Sequence, residues 1–173
     1  VLQGQERAWR EQGLGEKAPN TQWIAVDADY ESHPRGDWWE QRVLPRLLEK
    51  WEADIFHGPA YRIPSKWTHC RAVRVVTLHD LSVFTLPKAY PWKFRTYMRW
   101  VIARSLASAD RVICVSQFVR NEALRIFPRL SALNLAVVHQ AADDRYAPAT
   151  AAQQIELRRR YGLPDAYLFT AGT

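Results

Sequence analysis

The strongest constraint on the fold is a series of short apolar, β-branched runs separated by helical segments. Val73–Leu78 is one such run, of the kind that forms a strand covered on both faces. Residues 54–59, 111–115 and 135–138 repeat the pattern, and residues 23–26 (Trp-Ile-Ala-Val) form a plausible short strand before them. Between these runs the period changes to that of a helix. Asp37 opens one helix, with Glu40 three residues on as a capping-box partner, and Trp39, Val43, Leu44, Leu47, Leu48 and Trp51 form its apolar stripe. Pro45 lies inside this stripe and should bend the helix, because it has no amide hydrogen to donate. A long helix over 90–109 carries Phe94, Tyr97, Met98, Val101, Ile102 and Leu106 as its buried stripe. Ser116 is placed to cap a helix over 117–127, which Pro128 stops. Strands alternating with helices are βαβ units. The fold class is therefore α/β, a Rossmann-like and mostly parallel sheet with helices on both faces.

The ends of the chain read differently. Residues 1–20 contain a short polar helix around 5–12 and then a loop punctuated by Gly and Pro. Residues 140–154 are rich in Ala, Asp, Pro and Thr without an apolar period, which reads as a linker. A short basic helix (155–161) and one strand (166–169) follow, entering Ala171-Gly172-Thr173 as a new βα unit would open. This is expected to be part of a longer protein.

Composition narrows the classes. With 24% charged and 47% apolar residues, the chain of 173 is neither a disordered tail nor a coiled-coil rod. No apolar run reaches the roughly 20 residues of a membrane span, and no signal-peptide pattern opens the chain. Two cysteines, Cys70 and Cys114, are too few for a disulfide framework and point to a reducing compartment. The net charge of +6 favours an anionic partner without choosing among nucleic acid, acidic lipid and a phosphorylated ligand.

In an open parallel sheet, ligands bind at the carboxyl ends of the strands, where the strand order reverses. Three runs end there in polar residues or glycine: His57-Gly58-Pro59, His79-Asp80 and Ser116-Gln117. Strand ends also tolerate polar residues for no functional reason, but two histidines at two such ends favour a site. His79-Asp80 invites comparison with metal phosphohydrolases; yet His33, His69 and His139 show no ligand spacing, so no metal is expected. Dinucleotide, P-loop and nucleophile-elbow motifs do not occur. Residues 92–100 are basic and aromatic together, leaving Trp92, Lys93, Arg95 and Arg99 nearer solvent. That face could be simply solvated, lie on an anionic membrane, or hold nucleic acid. Basic residues scattered over several elements rank nucleic acid last, and none is expected as a partner.

The stretches from Asp54 to Pro59, Val75 to Ser82, Ala109 to Ser116 and Leu157 to Thr173 closely resemble, in order and spacing, the N-terminal half of family 4 glycosyltransferases. The resemblance runs from about residue 37 to the end. It implies the GT-B architecture, two Rossmann-like domains facing across a cleft. Residues 1–139 would be the N-terminal acceptor-side domain, 140–154 the linker and 155–173 the start of the donor-binding domain. By the same resemblance His79 is the catalytic candidate, a group that positions and polarises and is not a classical general base. His57, Gly58, Tyr61, Asp80, Ser116 and Gln117 are the substrate-binding candidates. The implied reaction is retaining transfer from a nucleotide-diphosphate sugar to a glycan or lipid-linked acceptor, without an essential metal or other cofactor. Mannose, common in the family, is the expected sugar. The implied setting is the cytoplasm, with peripheral attachment to the inner face of the plasma membrane. The basic pair and carboxylate that hold the donor in the family would lie beyond Thr173, so this chain alone should be inactive. Two departures stand out. Residues 1–20 show no version of the family's glycine-rich loop, and His139-Gln140-Ala141-Ala142-Asp143 replaces the commoner Asn-Gly-Val-Asp. The alternative reading is a non-enzymatic membrane- or glycan-binding module.

Overall fold

A computed structural model describes residues 33–65, 70–142 and 146–170 of the chain. The helix and strand expected over 5–12 and 23–26 lie outside the described residues. Four strands, β1 (Ile55–Gly58), β2 (Val73–Leu78), β3 (Arg111–Cys114) and β4 (Leu135–Val137), form an all-parallel sheet in the order β1-β2-β3-β4. Helices α1 (His33–Arg42) and α2 (Leu44–Lys50) precede β1. The short α3 (Ser82–Thr85) and the long α4 (Trp92–Ser108) join β2 to β3, and α5 (Gln117–Ile126) joins β3 to β4. The architecture is α/β and Rossmann-like, as the alternation of runs requires. Among the described strands the order is sequential and does not reverse, so the crevice expected at a reversal is not formed by these four.

The core is built where α4 and α5 cover the sheet. Val76, Leu78, Val112 and Cys114 from the strands pack with Ile102, Leu106, Val119 and Ala123 from the helices. Register is fixed at the base of the sheet by Arg74, whose guanidinium grips Asp110 twice (2.8 and 2.6 Å) while its backbone N–H donates to the same carboxylate at 2.9 Å. This clamps the start of β2 to the start of β3. The pair also holds the Asp110 carboxyl below its ordinary value, through the hydrogen bonds from Arg74.

Several expectations are corrected. Asp37 does not open a helix: α1 already runs from His33, so Asp37 and Glu40 are interior and turn to Arg62 in place of forming a capping box. The bend expected at Pro45 is a break into two helices, with Pro45 in the first turn of α2, where a missing N–H costs least. Phe94, expected in the core, is 46% exposed, because the buried part of α4 begins at Val101. The last residues of the expected linker are helical: α6 spans Ala151–Tyr161 behind a capping box made by Thr150 and Gln153, and Gly162 closes it at φ +61°. Residues 166–169 are not a strand. Among the described residues no neighbouring strand pairs with them, and Leu168 and Phe169 are exposed. The chain divides into two compact units between His139 and Gln140.

Candidate functional site

The site begins with the loop that leaves β1. Gly58 is buried, and a Cβ there would lie 2.0 Å from the Arg62 carbonyl oxygen, so only glycine lets the loop fold back this closely. The next residues are held one by one. Tyr61 N–H donates to the Thr77 carbonyl at 3.1 Å, and Ile63 N–H donates to Ser105 Oγ of α4 at 3.2 Å. The N–H and hydroxyl of Ser65 both donate to Gln41 Oε1 at 2.8 Å. Arg62 reaches α1, pairing with Asp37 and with Glu40 at 2.8 Å, while the Tyr97 hydroxyl of α4 donates to the other oxygen of Asp37. Burial raises the Glu40 pKa above its ordinary value despite the nearby Arg62 charge.

This scaffold presents Tyr61 with a left-handed backbone, φ +62°. Its hydroxyl donates to Asp80 Oδ2 at 2.5 Å, and its ring meets the His79 ring edge-on at 5.5 Å between centroids. The other Asp80 oxygen accepts from the N–H of Ser82 at 2.8 Å and from the Ser82 hydroxyl, which lies 2.8 Å from the Tyr90 hydroxyl. Asp80 thereby caps α3, whose N-cap residue Leu81 has no side chain able to do so. Burial works against the Asp80 carboxylate, but the hydrogen bonds from Ser82 and Tyr61, with His79 alongside, outweigh it and hold its pKa below the ordinary value. Tyr61 moves the opposite way: burial foremost, then the hydrogen bond to Asp80 and the charge of that carboxylate, pushes its pKa well above that of a free tyrosine.

His79 Nε2 lies 2.7 Å from the Pro59 carbonyl oxygen, which can only accept, so Nε2 carries the proton and Nδ1 is the basic nitrogen of the neutral ring. One strand over, His57 Nε2 and Thr77 Oγ1 are 2.7 Å apart. The sheet thus brings His57, Tyr61, His79 and Asp80 to the carboxyl ends of β1 and β2. Ser116 and Gln117 occupy the same edge at the end of β3, but each engages its own helix. Ser116 Oγ accepts from the Val119 N–H at 3.2 Å as the expected N-cap, and Gln117 donates to Asn121 at 2.8 Å. Among the described residues no group of three or more His, Cys, Asp and Glu is arranged to hold a metal ion.

Sequence reading missed Asp37, Glu40, Arg62 and Tyr97 as the support of the Tyr61 loop. They come from three places in the chain, and the nearest signal was the run Tyr61-Arg62 directly after a Gly-Pro turn. On α4, Trp92 and Lys93 are exposed as expected, whereas the Arg95 and Arg99 guanidinium groups donate to backbone carbonyls of Pro87, Val83 and Phe84. Among the described residues no helix is long and apolar enough to cross a membrane.

Residues 13–146 match the family model described as Glycosyltransferase Family 4, a match that begins well before Asp37. Over 151 residues, 87% of this chain, the sequence is 29% identical to the O-antigen chain mannosyltransferase B of Escherichia coli. The chain spans 36% of the length of that relative. The family match covers most of the chain, including the parallel sheet and its polar carboxyl edge, and the chain belongs to glycosyltransferase family 4.

Proposed function

We propose that the complete protein is a retaining glycosyltransferase that moves mannose from a nucleotide-diphosphate sugar to a glycan or lipid-linked acceptor. Residues 1–139 are its acceptor-side domain, and the segment after Gln140 leads into the donor-side domain. The observation that carries this reading is the group of His57, Tyr61, His79 and Asp80 at one sheet edge, with an ionised carboxylate and a tautomer-fixed imidazole side by side. Such groups suit sugar hydroxyls: Asp80 and the basic nitrogen of His79 accept hydrogen bonds, and the Tyr61 ring offers an apolar face. The mannosyltransferase relative supports the choice of sugar.

In this reading the leaving diphosphate is stabilised by cations and amides of the donor-side domain. The acceptor-side residues orient the acceptor hydroxyl and the transferring sugar, and His79 polarises a sugar hydroxyl without acting as the general base. No metal is assigned to the reaction. The test is a panel of nucleotide sugars offered to the complete protein with and without a chelator, with glycan and polyprenyl-diphosphate acceptors. Acceptor-dependent release of nucleotide diphosphate from GDP-mannose, unchanged by EDTA, is the expected result. Binding of acceptor without transfer from any donor would assign the protein to the binding modules instead. The isolated 173-residue chain should release no nucleotide.

A further inference from the structure

From Leu81 to Ala109 the chain carries no acidic residue and five cations, Lys88, Lys93, Arg95, Arg99 and Arg104. This one segment therefore holds most of the chain's net charge of +6. Within it, Trp92, Thr96, Trp100 and Arg104 recur every four residues along α4 and are all exposed, forming a single stripe. Trp92 is 66% and Trp100 56% exposed, about 12 Å apart along the helix. Each carries its own cation: Lys93 Nζ lies 5.8 Å from the Trp92 ring centroid, and the Arg104 guanidinium 5.3 Å from that of Trp100. Phe94, stacked on Tyr90 at 5.7 Å, and Leu86 in the preceding turn extend the exposed apolar surface, with Lys88 beside it.

We propose that this stripe of α4 docks on an anionic lipid bilayer. Exposed indole rings flanked by cations are the chemistry of the headgroup region, where the ring sits at the interface and the charge meets lipid phosphates. Nucleic acid offers phosphates too, but single-strand binding needs a groove that tracks the backbone beside the stacking rings. This face is the convex side of one helix. Arg95 and Arg99 add to the positive field while bracing the residues before α4, so the contact itself falls to Trp92, Lys93, Trp100 and Arg104. The docking face is also joined to the candidate site. Tyr90, two residues before Trp92, ends the hydrogen-bonded chain that runs through Ser82 and Asp80 to Tyr61. An acceptor held at the bilayer by a lipid would meet that site.

The proposal stands apart from the sugar-transfer reading, because its readout is binding. The complete protein is floated with vesicles of 30% phosphatidylglycerol in phosphatidylcholine and with phosphatidylcholine alone. Expected is partition onto the anionic vesicles, weakened at least about tenfold by K93E/R104E and by W92A/W100A, and by 0.5 M salt. Should either double variant fail to fold, quenching of tryptophan emission by brominated lipid in the unmodified protein decides the matter, and quenching is expected. No flotation with anionic vesicles, or flotation that both double variants leave unchanged, would overturn the proposal. So would tight binding of a dT30 oligonucleotide that displaces the vesicles, which would assign the stripe to nucleic acid.

Discussion

Tyr61 donates its hydroxyl to Asp80 at 2.5 Å from a backbone twisted into the left-handed region. A non-glycine residue in that conformation costs of the order of 1 kcal/mol. It persists because Arg62, Ile63 and Ser65 pin the loop on its far side and Gly58 allows the close return. The loop is held in order to place one phenol between a carboxylate and an imidazole.

Replacing Tyr61 by Phe keeps the ring against His79 and deletes only the hydroxyl. The loss should be about 1 kcal/mol of stability, small because the pair is partly exposed. Asp80, whose folded pKa is depressed, contributes stability that is present above its ordinary value and is lost as pH falls through the folded value. With one supporting hydrogen bond gone, the Asp80 carboxyl should titrate at a higher pH, closer to its ordinary value, and the share of stability that acid removes through it should be smaller. Carbon-13 NMR titration of the Asp80 carboxyl reads this directly. An unmoved midpoint would mean that Ser82 alone sets it.

Gly58→Ala puts a methyl group 2.0 Å from a backbone oxygen and 2.7 Å from Ile63 Cγ2. Neither neighbour is a flexible side-chain end, so the loop must move. About 2 to 3 kcal/mol of destabilisation is expected in urea unfolding. A loss under 0.5 kcal/mol would show that the loop return is loose.

Arg62→Ala leaves the Asp37 and Glu40 carboxylates facing each other without their cation. Arg62 and Asp37 keep about a third of their side-chain surface in water, so the cost is less than for a fully buried pair. A loss of roughly 1 to 2 kcal/mol is expected, smaller in acid, where Glu40, its pKa raised by burial, takes up a proton and no longer needs the cation. A loss that does not change with pH would place the role of Arg62 in packing.

Tyr97 is pushed up to about 12, by burial foremost and by the hydrogen bond to Asp37. An unfolded tyrosine ionises near 10. The stability this group contributes is therefore whole below pH 10 and lost as pH rises from 10 to about 12. Tyr61 adds to the same fall, so Tyr97→Phe should shallow it without removing it. Urea midpoints at pH 9, 10 and 11 for both proteins provide the comparison.

Much of the fold is legible in local pattern because local pattern causes it. The run Val73–Leu78 forms a strand, buried from Val76 onward but exposed at Val73, and Ser116 with its hydroxyl three residues before Val119 has to cap. Phe94 misleads because helical spacing shows which side of α4 is apolar, but not how far the core extends beneath it. Asp37 misleads for a similar reason, since a good N-cap residue also makes a good ion-pair partner. The strand-end histidines can be read from topology alone. The left-handed Tyr61 and its support cannot: Arg62 meets residues 22 and 25 positions earlier, and Tyr97 meets one 60 positions earlier. No local pattern records contacts at that separation.

The most direct test of the central claim is turnover of the complete protein and its His79→Ala variant with the same donor and acceptor. His79 lies at a partly exposed strand end, outside the buried core, so the variant should fold. Its kcat should fall by about one to three decades, the range for losing a group that polarises the reacting centre. Near-unchanged kcat in a folded variant would contradict the assignment and remove His79, and the sheet edge it defines, from the chemistry.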